Sequence, residues 1–277
     1  MSTRAGVFAV LTVGLVLFTG NARWLSGISR AATGANAVSN ARRTPDQGST
    51  PVLLELFTSE GCSSCPPADE LLARLDKTQP VRGADIIALE EHVDYWDRLG
   101  WKDPFSSETA TTRQTEYGEA FGGKEVYTPQ MVVDGRTEFV GSSDSDALRA
   151  IRAASQTPKP GIELSWQTGD LLDIHVEPIA NAEPRTDARL FLVIAESMLH
   201  SDVKRGENAG RGLEHNGVAR QFLPLGKIAP ASSEFSSTVT VHPAREWNRA
   251  NLRAIVFAQD QRSRRILAAA AVPFPPA

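Results

Sequence analysis

The sequence predicts an α/β domain followed by an all-β, sandwich-like domain. Apolar runs alternate with helix-type spacing over residues 51–155, whereas short strand-like runs follow one another over residues 162–277 without a convincing helix. The chain has 277 residues, of which 41% are hydrophobic and 22% charged, enough for two cores of average size. Residues 1–38 are predicted to be an export signal or anchor with its leader, and residues 39–50 a linker.

The N-terminal segment has the pattern of an export signal. Arg4 precedes an uncharged apolar run over residues 5–18, which is short for a membrane span. Small residues that suit cleavage lie near residues 20–22 and 34–37, and an uncleaved N-terminal anchor is the alternative. Both interpretations place the folded part outside the cytoplasm, either periplasmic or secreted.

The charge of the chain excludes some partners. Residues 1–45 contain five arginines and no acid, so their removal changes the formal net charge from −4 to −9. An acidic protein is a poor match for the phosphates of nucleic acid or anionic lipid. We therefore expect no nucleic-acid partner, and membrane contact only through an uncleaved N-terminal segment.

The first domain begins with a strand, a helix and a second strand. Residues 52–57 are almost continuously apolar, as in a strand buried on both faces. From Pro66 onward, apolar residues recur at the spacing of one helical face. Residues 86–89 give the second strand, which continues to His92 and Val93. A right-handed crossover makes the two strands parallel, so their carboxyl ends share one edge of the sheet.

The remaining elements of this domain are a helix, a hairpin and a final helix. Ser106 is a suitable N-cap for a helix to about Phe121, which the two following glycines end. Asp134-Gly135 between strand-forming runs is a strong hairpin signal. Residues 142–144 supply N-caps for a helix through Ala154.

The second domain is predicted from strand-like runs separated by turn residues. The six runs are residues 162–167, 171–177, 189–196, 235–241, 252–258 and 265–272. Residues 204–217 form a long polar loop with four glycines. This loop either docks on the active face of the first domain or remains a solvated hairpin.

The chemistry is expected at Cys62 and Cys65, the only cysteines in the chain. They lie three apart between a strand end and a helix start, where the helix dipole lowers the pKa of a thiol. An oxidising compartment favours a disulfide, either reversible or purely structural. Two thiolates with His92 would alternatively form part of a metal site.

This arrangement resembles thioredoxin-like proteins, through the strand before Cys62, the cysteine pair at a helix start and Thr128-Pro129 entering a hairpin. The resemblance implies a cis Pro129 that packs against the disulfide and a Thr128 backbone that is offered to a substrate. Gly61 replaces the tryptophan of thioredoxin, and Leu56 replaces its buried aspartate. Glu55 and Glu60 are then the candidates for the proton relay, and the assignment of the general base stays open.

Three motifs are more specific. They are residues 53–69 around the cysteines, residues 92–96 (His-Val-Asp-Tyr-Trp) and residues 127–135 around Pro129. Together they resemble the exported bacterial family known as domain of unknown function 1223, from about Pro51 to the C-terminus. The resemblance implies a thioredoxin-like α/β domain followed by the all-β domain.

The predicted function is an exported thiol–disulfide oxidoreductase, with Cys62 as nucleophile and Cys65 as resolving thiol. Thr128 and Pro129 shape the substrate site, and His92 and Glu60 are auxiliary candidates. The alternative for His92 is a structural role, hydrogen-bonded within a cluster of Asp94, Tyr95 and Trp96. We expect no cofactor beyond the cysteine pair and no dedicated metal ligands.

The predicted partners are a protein or small thiol substrate and an electron partner, and the direction of transfer stays open. The alternative function is a non-catalytic envelope binding module in which the cysteine pair is a structural disulfide. A copper or zinc carrier is a third alternative.

Overall fold

A computed structural model describes residues 48–123, 125–179, 188–228 and 234–275. The predicted export segment, residues 1–38, and most of the predicted linker lie outside these residues. Within the described part, no helix has the length and apolar character needed to cross a membrane.

Three α-helices and thirteen strands are present in the described residues. The helices are α1 (Pro66–Thr78), α2 (Glu108–Ala120) and α3 (Asp144–Ser155). The strands are β1 (Thr50–Thr58), β2 (Ala84–His92), β3 (Gln130–Val133), β4 (Thr137–Val140), β5 (Ile162–Gln167), β6 (Leu171–Val176), β7 (Ala188–Glu196), β8 (Leu199–Asp202), β9 (Gly212–His215), β10 (Val218–Ile228), β11 (Phe235–Thr240), β12 (Leu252–Asp260) and β13 (Ile266–Pro273).

Eight strands form one mixed sheet in the order β13-β12-β7-β10-β2-β1-β3-β4. β1 and β2 are parallel, as the sequence predicts, and β3 is antiparallel to β1. The other sheets are small: β11-β6-β5 and β8-β9. A hydrogen bond from Ile266 N to Asp134 O (2.9 Å) connects the start of β13 to the turn after β3.

The predicted fold class, an α/β thioredoxin-like domain followed by a separate all-β sandwich-like domain, is wrong. Within the described residues, the protein is mostly β, with 21% helix and one large mixed sheet. The physical reason is β10, which is parallel to β2 at Val218↔Glu90 and antiparallel to β7. Strands from both halves of the chain therefore belong to the same sheet. The domain boundaries at residues 155 and 162 stay predictions.

Sequence patterns missed β10 because Pro224 and Gly226 interrupt it. Proline cannot donate to a strand ladder, and glycine weakens a strand interior. The strand tolerates both through register shifts between Ala219 and Gln221 and between Pro224 and Gly226. Gly217 precedes the strand at φ 78°, and a Cβ there would lie 2.9 Å from Ala88 O, so only glycine permits this close approach to β2.

The two faces of β1 and β2 have different neighbours because side chains alternate along a strand. One face packs with α1 and α3 around Leu54, Leu56 and Ile86. The other packs Leu53 and Ile87 against apolar residues of β7, β12 and β13. Successive side chains at the carboxyl end of β2 therefore point alternately to these two faces of the sheet.

Candidate functional site

The cysteine turn, residues 61–65, connects β1 to α1. Cys62 and Cys65 form a disulfide with their Cα atoms 5.4 Å apart. Cys65 is the N-cap of α1, and its carbonyl oxygen accepts hydrogen bonds from Ala68 N (2.7 Å) and Asp69 N (3.1 Å). The predicted position of the pair, between a strand end and a helix start, is confirmed. A thiolate released here would be stabilised by the helix dipole.

The disulfide is covered although the turn itself is exposed. Both cysteines have 0% of their surface exposed, whereas Ser63 and Ser64 are exposed. Attack on either sulfur by a protein substrate therefore requires movement of the residues around the turn. One neighbouring segment is the loop between β8 and β9, residues 203–211, which we name the cap loop.

Two residues of the cap loop bind the cysteine turn. Glu207 Oε2 accepts hydrogen bonds from Ser63 N (3.1 Å) and Ser63 Oγ (2.7 Å). The Asn208 amide donates to Glu60 O (2.8 Å) and Cys62 O (3.0 Å) and is itself buried. The loop therefore contacts the cysteine turn through Glu207 and Asn208, and it also connects the two strands of the β8–β9 hairpin, with most of its residues exposed.

Beneath the turn, Glu60 is held by three residues. Its backbone N donates to Asp103 Oδ2 (2.8 Å), and its Oε2 accepts a hydrogen bond from Trp101 Nε1 (2.6 Å). Its Oε1 lies 3.3 Å from His215 Nε2. The carboxylate is completely buried. Glu60, two residues before Cys62, is thus part of an extended polar network.

That network is the histidine cluster: Glu60, Glu90, His92, Asp103 and His215. Glu90 Oε1 lies 3.0 Å from His92 Nε2 and 2.7 Å from His215 Nδ1. His92 Nδ1 lies 2.7 Å from Asp103 Oδ2. His92 is therefore bonded to these acids, and within the described residues no hydrogen bond joins its side chain to the neighbouring Asp94, Tyr95 or Trp96. Sequence patterns missed Glu90, Asp103 and His215.

Burial and neighbouring charges shift the pKa values of these groups in opposite directions. Burial raises the pKa of Glu90, but the charges and hydrogen bonds of His215 and His92 outweigh it and lower the value to about 2. Burial lowers the pKa of His215, but Glu90 and Glu60 raise it to about 9. The pKa of His92 is raised well above its usual range, since Asp103 and Glu90 outweigh burial.

A further acid, Asp69, lies one helical turn after Cys65. Positions four apart share a helix face, so the Asp69 carboxyl and the Cys65 side chain lie on the same side of α1. Asp69 is buried, and its Oδ1 accepts a hydrogen bond from Thr58 Oγ1 (2.7 Å). Burial and the charge of Glu90 raise its pKa to about 7. Its sequence signal was an acid in the first turn after the cysteines.

Thr128 and Pro129 are joined by a cis peptide bond, as the resemblance to thioredoxin-like proteins implies. Trp96 Nε1 donates to Thr128 Oγ1 (2.8 Å). A Cβ on Gly61 would lie 3.2 Å from Trp96 Cβ, so glycine before Cys62 lets this tryptophan pack against the turn. Trp96 therefore connects the cysteine turn to the Thr128-Pro129 segment.

The other predicted relay candidate, Glu55, lies elsewhere. It accepts hydrogen bonds from Arg113 Nε (2.6 Å) and Tyr117 OH (2.5 Å) on the opposite face of the sheet. The structure thus brings Cys62, Cys65, Glu60 and His92 together at one edge and separates Glu55 from them. The functional roles of these residues stay predictions.

Comparisons with known proteins agree on family and fold. The family described as Protein of unknown function (DUF1223) matches residues 53–259. No curated protein matches the chain. Protein AGR_C_4864 from Agrobacterium tumefaciens has a similar crystal structure, with a TM-score of 0.64, 24% identity, and coverage of 84% of this chain and 98% of that one. HBP35 of Porphyromonas gingivalis is also similar, with a TM-score of 0.58, 14% identity, and coverage of 82% and 76%. At these identities the two structures show the fold alone.

Proposed function

Because this chain belongs to the DUF1223 family, whose description assigns no activity, we propose a function from the site itself: thiol–disulfide exchange through Cys62 and Cys65. The observation that carries the proposal is the disulfide at the amino end of α1, with the buried acid Asp69 on the same helix face as Cys65. Exchange of this kind needs a stabilised leaving thiolate and a nearby group that handles protons.

In the oxidising direction, a substrate thiolate attacks Cys62 Sγ and forms a mixed disulfide, while Cys65 leaves as a thiolate. Asp69 supplies a proton to the Cys65 thiolate and regains one from solvent. The second substrate thiolate then attacks the substrate sulfur of the mixed disulfide and releases Cys62. Two electrons pass from the substrate to the cysteine pair, and the same steps in reverse reduce a substrate disulfide.

Access to the pair is controlled by the cap loop in this proposal. Glu207 and Asn208 bind the cysteine turn, and both sulfurs are fully buried. The substrate is a protein or a small thiol, and a separate electron partner regenerates the pair. We propose, from the N-terminal sequence, that this occurs outside the cytoplasm, in the periplasm or as a secreted protein.

The test is a redox titration of the purified full chain in glutathione and dithiothreitol buffers, with thiol alkylation and mass spectrometry as the readout. We expect a reduction potential above about −270 mV, because structural disulfides lie below about −300 mV. A Cys62→Ser variant should lose transfer to a model dithiol peptide completely. A potential below about −300 mV together with no transfer by the wild type contradicts the proposal.

The complete burial of both sulfurs favours one alternative, a binding module with a structural disulfide. It predicts that the Cys62→Ser/Cys65→Ser variant retains its biological role in a deletion strain and loses only stability. Loss of that role in a folded Cys62→Ser variant excludes this alternative.

A further inference from the structure

The histidine cluster contains three carboxylates but no lysine or arginine. Glu60, Glu90 and Asp103 are almost completely buried. Among the ion pairs of the described residues, none joins an arginine or a lysine to any of the three. Buried carboxylates are costly unless a cation compensates for them. Within the described residues, His92 and His215 are the only members of the cluster that can carry positive charge, and imidazole nitrogen is also a common metal ligand.

Three atoms of the cluster are arranged around one point. Glu90 Oε1 lies 3.0 Å from His92 Nε2 and 2.7 Å from His215 Nδ1. Ligand atoms of these three residues all lie within 4.8 Å of one another. Two imidazole nitrogens and one carboxylate oxygen are a common ligand set for zinc, and such sites keep a fourth position for another ligand.

The other ring nitrogen of each histidine, and the second oxygen of Glu90, have the kind of neighbours that are found in metal sites. His92 Nδ1 lies 2.7 Å from Asp103 Oδ2, and His215 Nε2 lies 3.3 Å from Glu60 Oε1. Metal-binding histidines usually donate their second N–H to a carboxylate in this way. The second oxygen of Glu90 accepts a hydrogen bond from Asn216 N (2.9 Å).

An independent observation points to a missing interaction. Glu60 Oε1 and His215 Nε2 are buried and face each other, yet neither completes a hydrogen bond within the described chain. A metal ion on His215 Nδ1 would require the proton on Nε2, and a small rotation of the ring would then let Nε2 donate to Glu60 Oε1. One ion would thus both compensate the carboxylates and satisfy this pair.

We propose that Glu90, His92 and His215 bind one divalent transition-metal ion, for which Zn²⁺ is the best match. Asp103 and Glu60 are positioning residues that hold the two imidazoles. The centroid of the Phe105 ring lies 5.4 Å from that of each imidazole ring. His92 and Phe105 also line a cavity of about 320 Å³, through which the ion enters.

This site is distinct from a thiolate site, because both cysteines are engaged in the disulfide. It also does not depend on the redox function. Metal binding and thiol exchange can therefore succeed or fail separately in experiments on the same protein.

The test uses the full chain, stripped with EDTA, dialysed and titrated with Zn²⁺ alone against a competing chelator. We expect one Zn²⁺ per chain, detected by elemental analysis, and at least roughly 100-fold weaker binding in a His92→Gln/His215→Gln variant. His200→Gln is the matched control, since His200 is also bonded to two acids, Glu214 and Asp202, but is exposed. Its Zn²⁺ affinity should be that of the wild type.

A second variant tests the site without changing any of the three proposed ligand residues. Asp103→Asn keeps the shape of the side chain and should weaken Zn²⁺ binding roughly 10–100-fold while the chain stays folded by circular dichroism. The Cys62→Ser/Cys65→Ser variant should bind Zn²⁺ unchanged, and Co²⁺ in the wild type should show tetrahedral bands without thiolate charge transfer. Absence of micromolar Zn²⁺ binding by the wild type would mean that the cluster is a hydrogen-bonded network only, and this would overturn the proposal. Loss of binding with the cysteines would also overturn it.

Discussion

Two buried ionic clusters lie on opposite faces of β2, and they balance their charges differently. The histidine cluster uses Glu90 and His92, whereas Glu91, between them, points to the other face and joins the arginine cluster. The arginine cluster consists of Glu55, Glu91, Arg113, Tyr117 and Gln259.

The arginine cluster supplies its own fixed cation. Arg113 comes from α2 and is bonded to Glu55, Tyr117 and Gln259, and its guanidinium lies about 5 Å from the ring centroids of Phe222 (5.0 Å) and Tyr117 (5.1 Å). Burial raises the pKa of Glu91 well above its usual range, despite the charge of Arg113. Arg113 is thus the cation that faces the two buried carboxyl groups of this cluster, Glu55 and Glu91.

The histidine cluster has no such fixed cation within the described residues, and it reaches the cysteine turn through Glu60, two residues before Cys62. The difference indicates that the arginine cluster has a structural role, joining the sheet to α2. The histidine cluster, in contrast, is suited to bind a ligand or to take part in thiol chemistry. If this comparison is correct, substitutions in the two clusters should differ in their main effect, on stability in one and on ligand or thiol chemistry in the other.

The largest expected effect is from Arg113→Met. It leaves the buried Glu55 carboxylate without its cation and should lower the free energy of unfolding by about 3–5 kcal/mol. Urea denaturation measures this loss, with Arg98→Met as the control, because Arg98 is exposed and should change stability by less than about 0.5 kcal/mol. A loss below about 1 kcal/mol for Arg113→Met would remove the distinction between the two clusters.

Metal removal should have the next largest effect. At free Zn²⁺ about 100 times the dissociation constant, the ion should stabilise the chain by about 2.7 kcal/mol, and EDTA should abolish this gain. Thermal unfolding with and without Zn²⁺ measures it. The Arg113→Met variant should show the same gain if it folds, since its cluster lies on the other face. An equal melting temperature with and without Zn²⁺ contradicts the expectation.

Replacement of both cysteines should have a smaller effect. The disulfide closes a short loop, so Cys62→Ser/Cys65→Ser should lower the free energy of unfolding by about 2 kcal/mol. Urea denaturation of the wild type after reduction with dithiothreitol should give the same loss. A loss as large as that of Arg113→Met would show that the turn is as structural as the arginine cluster.

The smallest expected effect on stability is from Glu207→Gln, which should instead speed thiol attack. Glu207 is an exposed residue that binds Ser63 of the turn. Weakening this contact should raise the rate of disulfide reduction by glutathione several-fold, with unchanged urea denaturation. Glu214→Gln is the control, since Glu214 is also exposed but bonds to His200 rather than to the turn. Equal rates in the two variants would contradict a capping role for Glu207.

Local sequence patterns predicted the local parts of this fold. Helix α1 and strands β1 and β2 follow from apolar periodicity and from Pro66 at a helix start, and the hairpin follows from Asp134-Gly135. The joining of both halves by β10 had no such signal, because Pro224 and Gly226 conceal the strand and its partner, β2, lies far away in sequence.

The candidate site was also predictable only where its residues follow local sequence patterns. Cys62, Cys65 and His92 lie at the carboxyl ends of adjacent parallel strands, and Glu90 is two residues before His92 on the same face. His215, however, contacts Glu90 from 125 positions away, in a glycine-rich region without periodicity. Only three-dimensional packing brings such a residue to the site.

Asn208 and His215 lie late in the chain, well after Cys62 and Cys65. With the proposed export, the cysteines therefore enter the oxidising compartment before the cap loop and β9 do. Because disulfides form in oxidising compartments, we expect the bridge between the cysteines to form during or after export, before the cap loop binds the cysteine turn.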